Sequence, residues 1–328
     1  MTIRRLGLLR LTRKTVLGIA LVGLLAGLAA PGWAGPAWDR LGVLTLNLLY
    51  SDLVGLEGRL ERVAGFVAGR ADEVDLILLQ EVVAGQFQEG DNAAALLQGM
   101  LAQRGLTFHL HFERVHEAFG LALVGNAILS RRPFLEVRST NLPPALEVHP
   151  GGAELILDRK ATAARLEAPG FGPLTVVHTH LCAYCRPEER LEQVEALIGF
   201  AAEMESLPGL EEAPLILAGD LNIHLTRPEE REAYQVLTQA GYLDSYGQSH
   251  GCLVCCSQEE GYEGCTFGRP GNPFTEEGAE RIDLVLVKRA GVVSSRVVFG
   301  LSPDWVSDHS GLLTVLSPTW SALEPSKE

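Results

Sequence analysis

The stretch Pro214-Leu215-Ile216-Leu217-Ala218-Gly219-Asp220-Leu221-Asn222 decides how this chain is read. Four consecutive apolar side chains after a proline are too few for a helix. They have the length of a strand buried on both faces. An acid and an amide follow at once, so the strand delivers polar groups straight out of an apolar interior. Gly-Asp-x-Asn is also an ordinary turn composition, because Asp and Asn bond their own backbone.

The same arrangement recurs outward in both directions. Leu46-Asn47 lies in a β-compatible run over 41–49, Gln80-Glu81 follows an apolar run over 74–79, and Thr179-His180 closes a run over 174–180. Ser307-Asp308-His309 precedes a run over 311–316, and Arg281-Ile282-Asp283 sets an acid inside the run 281–287. Taken singly, Glu81 reads equally well as a loop acid and His180 as a satisfied core histidine. Asp283 is harder to explain in that way, since a buried carboxylate without a partner is costly. Six such segments, five at the edge of an apolar run and one within it, point to one common centre.

Helical periodicity fills the spaces between them. Leu60, Val63, Phe66 and Val67 form a stripe within 56–70, and 93–104 reads as a second helix. Pro187 opens a third, with Glu188 and Glu189 in its first turn and Leu191, Val194, Ile198 and Ala201 on one face. A fourth over 229–240 stops at Gly241. Further strands are expected over 121–130 and 160–167, the latter leading into a hairpin-like break at 169–173. Strands alternating with helices, with hairpins mixed in, predict a layered α/β fold with mixed sheets. One large domain over 39–318 and a tail over 319–328 account for the length.

With 47% apolar and 21% charged residues, the composition is that of a globular protein. Residues 1–34 differ: Arg4, Arg5, Arg10, Arg13 and Lys14 precede an uncharged apolar stretch and a small-residue region around Ala34. These are the parts of an export signal, with an uncleaved N-terminal anchor as the alternative. The chain carries 27 basic and 41 acidic side chains; without the five basic residues of 1–34 it is 22 against 41, a net −19. Such a surface repels polyanions and argues against nucleic acid as the main partner. All six cysteines, Cys182, Cys185, Cys252, Cys255, Cys256 and Cys265, lie beyond the signal. An even number in an exported chain favours disulfides, and the two C-x-x-C spacings leave a zinc site as the alternative.

The six polar segments suit one chemistry. Magnesium takes oxygen ligands and keeps several waters, using one or two carboxylates plus substrate phosphate. Glu81 and Asn47 supply such ligands, Asp220, Asn222 and Asp308 offer further oxygens, and manganese is a plausible substitute ion. His180 and His309 titrate near neutrality and can move protons. Asp283 can orient His309 and stabilise its charged form. Together they would activate a water and stabilise a leaving alkoxide.

Taken in order, T-x-N, Q-E-V, T-H-L, G-D-L-N, R-I-D and S-D-H resemble the endonuclease/exonuclease/phosphatase superfamily over roughly 41–316. Gly125-Asn126-Ala127-Ile128-Leu129-Ser130 is similar to a block of its bacterial members. The resemblance implies a four-layer sandwich, two packed mixed β-sheets with outer helices, and an active site where strand ends meet. It also implies roles: Glu81, with Asn47 and Asp308, at the metal; Asp220 and Asn222 positioning the nucleophile and a phosphate oxygen; His309 as base oriented by Asp283; His180 on the phosphate or leaving group. Asn126 and Arg159 complete the set as substrate-binding candidates. Cys265-Thr266-Phe267 and Asn272-Pro273-Phe274 ahead of Arg281-Ile282-Asp283 are similar to the sphingomyelinase and bacterial phosphodiesterase branch. A phospholipid phosphodiester, with peripheral membrane contact and no obligate protein partner, is therefore the expected substrate. An extracellular nuclease and a non-catalytic secreted binding protein are the competing readings.

Overall fold

Alternation along the first strand sets the architecture, because successive side chains of a strand point to opposite faces. The computed structural model describes residues 40–50, 55–85, 88–118 and 122–318. The expected export signal (1–34) and tail (319–328) lie outside the described residues.

In chain order the first elements are β1 (Leu41–Asn47), α1 (Leu56–Ala68), β2 (Leu76–Gly85), β3 (Gln88–Asn92), α2 (Ala93–Gln103), β4 (His109–Ala118) and β5 (Ala122–Ser130). There follow β6 (Glu136–Asn141), β7 (Ala145–Val148), β8 (Glu154–Leu157), β9 (Lys160–Ala168), β10 (Gly172–His180), α3 (Pro187–Glu205) and β11 (Leu215–Asp220). A short 3-10 turn (Pro228–Glu230) leads into α4 (Arg231–Gln239), then β12 (Leu243–Asp244), α5 (Ser245–His250), β13 (Asp283–Lys288), β14 (Gly291–Val298) and β15 (Gly311–Ser317). One seven-stranded sheet runs β14-β15-β1-β2-β5-β4, with β3 paired to the end of β2. A six-stranded sheet runs β12-β13-β11-β10-β9-β6, and β7–β8 is a separate hairpin. Both large sheets are mixed, each with one parallel pair: β1/β2 and β10/β11.

Leu44, Leu46, Ile77 and Leu79 pack outward against Leu60, Val63 and Val67 of α1 and Leu97 and Leu101 of α2. Val177, Leu215, Leu217, Leu284 and Leu286 do the same toward α3 and α4. The opposite parity, Val43, Leu76, Leu78, Val176, Ile216, Ala218 and Val285, fills the space between the sheets. The result is the expected four-layer sandwich. Burial of a single leucine of this kind stabilises by about 1.5–3 kcal/mol, so the three apolar layers hold the sheets in a fixed relation. No helix of the described residues is long and apolar enough to cross a membrane.

Candidate catalytic site

Toward one end of the sandwich the inward-facing positions change from apolar to polar. On β1 the inward series is Leu41, Val43, Thr45, Asn47; on β11 it is Ile216, Ala218, Asp220. Register then makes neighbours of residues far apart in sequence. Asn47 pairs with Gln80 across the parallel β1/β2, His180 with Asp220 across the parallel β10/β11, and Asp220 with Asp283 across the antiparallel β11/β13. Residues side by side on one face of a sheet bring their side chains together. Hence His180, Asp220 and Asp283 form a row on the inner face of one sheet, opposite Asn47 on the other.

Glu81 joins this group through a local irregularity. The β2/β5 register shifts between Leu79 and Val82, and Glu81 has φ 56°. Gln80 already faces inward, so regular alternation would send Glu81 to the helix side. The bulge re-aims it, at a backbone cost of about 1–3 kcal/mol for a non-glycine residue in the left-handed region. Asn222, with φ 50°, turns the chain after β11 in a similar way, and its N–H donates to Asp220 Oδ1 at 3.1 Å. Gly219 is required for another reason: a Cβ there would collide with the carbonyl oxygen of Thr179 on the adjacent strand.

The side chains are tightly interlinked. His309 Nδ1 lies 2.8 Å from Asp283 Oδ2, and its Nε2 is 3.6 Å from Asp220 Oδ2. His180 Nε2 reaches the same Asp220 oxygen at 3.4 Å. Asn47 Nδ2 donates to Asp220 Oδ2 and Glu81 Oε1, each at 3.1 Å, and the second Glu81 oxygen accepts from Tyr50 N at 2.9 Å. Asn47 Oδ1 accepts from Leu49 N. Asn47 therefore orients two carboxylates through its amide nitrogen, while its oxygen is turned to the backbone. Asp308 Oδ1 accepts from Ser307 Oγ and His309 N.

Burial and these neighbours bias each protonation state. Burial, with Asp283 and Glu81 adding repulsion, raises Asp220 to about 7. Burial and the charge of Asp308 raise Glu81. For His309 burial acts downward, but the Asp283 and Asp220 carboxylates outweigh it and hold the imidazole well above its ordinary value. His180 moves the other way, held well below by burial and by Arg159 and His309. Two histidines in one cleft are thus driven to opposite charge states by their surroundings, a pattern associated with functional sites.

The donor set fits a hard divalent cation. Glu81 and Asp308 repel one another, and a bound cation would remove that energy. Asp220, Asp283 and His309 also present one ligand atom each within 4.8 Å of one another. Within that group Asp283 and His309 are already joined by a 2.8 Å hydrogen bond. Glu81 and Asp308 line the same cleft and add further candidate oxygen ligands.

Loops before β13 hold the histidine in place. Thr266 Oγ1 accepts from the N–H groups of Ile282 and Asp283, fixing the start of β13. The Phe267 ring lies 4.8 Å from that of His309. Asn272 Nδ2 donates to the carbonyls of Ser307 and Asp308. The Thr-Phe and Asn-Pro-Phe segments that stood out in the sequence thus brace the loop that carries Asp308 and His309, and these contacts appear only in the fold.

Not every sequence candidate lies in this cleft. Asn126, on β5, and Arg159, before β9, line an adjoining cavity, and the Arg159 guanidinium is bound by Glu147 at 2.7 and 3.1 Å. The cysteines pair as Cys182–Cys185, Cys252–Cys255 and Cys256–Cys265. That leaves no thiolate for the zinc alternative, since none of the six is free. Disulfides of this density belong to an oxidising compartment such as the periplasm or the extracellular space. Sequence reading missed Tyr184 and Glu277, which meet over the cleft at 3.1 Å from opposite loops, and Arg190, which braces the Cys182 loop through the carbonyls of Cys182 and Ala183. The signal available was spacing: Arg190 stands four residues before Val194, on the stripe of α3 that turns out to be buried.

A family model, the endonuclease/exonuclease/phosphatase family, matches residues 44–309. Among solved structures, an endonuclease/exonuclease/phosphatase from Beutenbergia cavernae superposes with TM-score 0.63 at 23% identity, covering 85% of this chain and 72% of that one. A family protein from Leptotrichia buccalis gives 0.64 at 17%, with coverages of 84% and 99%. D. rerio TDP2 complexed with a single-strand DNA product gives 0.56 at 17%, with coverages of 85% and 99%. At these identities the likeness concerns the fold. No curated protein matches the chain in sequence.

Proposed function

Because the chain belongs to the endonuclease/exonuclease/phosphatase family, we propose that it is a magnesium-dependent phosphodiesterase in which His309 removes a proton from the attacking water. The observation that carries this reading is the 2.8 Å Asp283–His309 bond, with Nε2 of the same ring turned toward Asp220. A carboxylate behind Nδ1 fixes the tautomer; since the neighbouring carboxylates also favour the charged ring, Nε2 accepts the water's proton only after giving up its own, a loss that the positive charge of a divalent ion in the cleft would promote. Asp283 then stabilises the imidazolium that forms, as in other base–carboxylate pairs. Asp220, held by Asn47 and the Asn222 N–H, orients the water by accepting its second hydrogen. His180, kept neutral, offers an N–H to a phosphate oxygen. A divalent ion held by Glu81 and Asp308 would neutralise phosphate charge and stabilise the leaving oxygen.

Water adds to phosphorus as His309 takes its proton, the bond from phosphorus to the leaving oxygen breaks, and the alkoxide takes up a proton returned by the His309 imidazolium directly or through solvent, so the products are a phosphomonoester and an alcohol. An exported protein acting on a phospholipid head group is favoured over a nuclease by the net −19 beyond residue 34. The test is hydrolysis of bis(p-nitrophenyl) phosphate in H2 18O, with magnesium and with chelator. Label in the phosphomonoester, dependent on metal and lost in His309→Ala, supports the reading; label in the alcohol, or turnover indifferent to chelator, contradicts it. Parallel assays with phosphatidylcholine or sphingomyelin vesicles and with plasmid DNA decide the substrate class.

A further inference from the structure

A cavity of ≈ 490 Å³ opens directly off the catalytic cleft, the two sharing Glu81, His180, Ala183 and Tyr184. Its character differs from that of the cleft. Val115 of β4 and Val124 of β5 line one side, and Leu155 and Leu157 of the β7–β8 hairpin line another. Away from Glu81, which it shares with the cleft, its charged side chains are paired: Glu117 with Arg114, and Arg159 with Glu147. Arg159 gives two hydrogen bonds to one oxygen of Glu147, whose other oxygen accepts from Ala183 N at 3.2 Å. His116 is held below its ordinary value by burial and by Arg159, which favours the uncharged ring. The outer face of the same hairpin is apolar as well. Leu146, Val148 and Ile156 are 41%, 50% and 68% exposed, with Leu146 paired across the strands to Ile156. Apolar surface therefore runs from the catalytic residues, through the cavity, to the outside of the molecule. Such continuity in an otherwise acidic protein marks a binding surface.

We propose that this cavity is the subsite for an apolar chain carried by the scissile phosphodiester, with Leu155 and Leu157 as specificity-determining residues. The proposal rests on the phosphodiesterase reading above and adds the part of the substrate that does not react. The phosphate sits among His180, Asp220 and His309, and the chain runs along the hairpin toward Ile156. Chain binding far from phosphorus supplies energy that orients the phosphate for attack.

The test uses p-nitrophenyl n-alkyl phosphates from methyl to octyl, with magnesium. In the wild-type protein kcat/KM is expected to rise about fourfold per added methylene until the cavity is full, the value for burying a CH2 group. Leu157→Asp and the milder Leu155→Ser flatten this dependence. Val293→Asp, an exposed position on the far edge strand β14, retains the wild-type slope. A flat wild-type series, or a slope untouched in both leucine variants, overturns the proposal. A phenyl ester preferred to every alkyl ester likewise overturns it, in favour of an aromatic occupant. Calorimetry keeps the subsite separable from the chemistry. n-Octyl phosphate should bind at least about a hundredfold more tightly than methyl phosphate, and Leu157→Asp should remove the difference. If no ester is hydrolysed but that difference is seen, the catalytic reading fails and the subsite stands. Equal affinities remove the subsite whatever the turnover.

Discussion

Replacing Asp283 by asparagine tests the proton-handling pair most directly. The substitution keeps the shape and removes one negative charge 2.8 Å from His309 Nδ1. At that separation unit charges attract by about 6 kcal/mol at an effective dielectric near 20. Part of this is recovered. The amide oxygen still accepts a neutral hydrogen bond worth about 1 kcal/mol, and no carboxylate need be stripped of water. The remaining loss, about 3–4 kcal/mol, falls on the imidazolium formed during attack and predicts a kcat lower by about 10²–10³-fold. Folding should survive, because Thr266 holds the Asp283 and Ile282 backbone N–H groups whatever the side chain. The assay is kcat on bis(p-nitrophenyl) phosphate at saturating magnesium, with a thermal melt on the same sample. A kcat within threefold of wild type and an unchanged melt would falsify the pairing of base and carboxylate.

Other expectations follow from single contacts. Asn47→Ala leaves Glu81 Oε1 and Asp220 Oδ2 without their amide donor; the magnesium concentration for half-maximal rate should rise about 10–100-fold, and an unshifted metal titration would remove Asn47 from the site. Gly219→Ala drives a methyl group into the Thr179 carbonyl and should destabilise by about 2–5 kcal/mol; calorimetry finding a normal melting temperature would show that the two strands can separate there. Glu113 on β4 bonds Lys160 on β9 and Ser139 on β6, tying the sheets together; burial pushes it up, but hydrogen bonds from His111, Lys160 and Ser139 outweigh this and hold it at about 2. A depressed acid gives stability that is complete above its unfolded value near 4.5 and is lost as pH falls toward 2. Melting temperature should fall through that window less steeply in Glu113→Gln than in wild type, and parallel curves would count against the tie.

Edge strands were the part of the fold that local pattern concealed. β4 carries three histidines, two glutamates and an arginine, and β14 has a Ser-Ser-Arg interior. Both lie at the edges of the seven-stranded sheet, where only one neighbour and partial burial act on the chain, so alternation is weak. The central strands β1, β2, β10, β11 and β13 were legible because burial on both faces forces near-continuous apolar runs. The polar residues at their ends were legible for the same reason, since each broke such a run.

The sequence alone determined that apolar strands alternate with amphipathic helices and that each central strand carries a polar residue at or near its end. Those are local properties, set by side-chain periodicity and by the cost of burying an unpartnered polar group. Only the tertiary structure decided which of those residues meet. Register across β1/β2, β10/β11 and β11/β13 aligns them, and a bulge turns Glu81 inward. Asn47 serves the carboxylates through its nitrogen, Arg159 is claimed by Glu147, and the six cysteines settle into one pairing of many. Each of these outcomes depends on groups tens to hundreds of residues apart being brought within about 3–5 Å, the range of hydrogen bonds and cross-strand neighbours, and no local pattern encodes that distance.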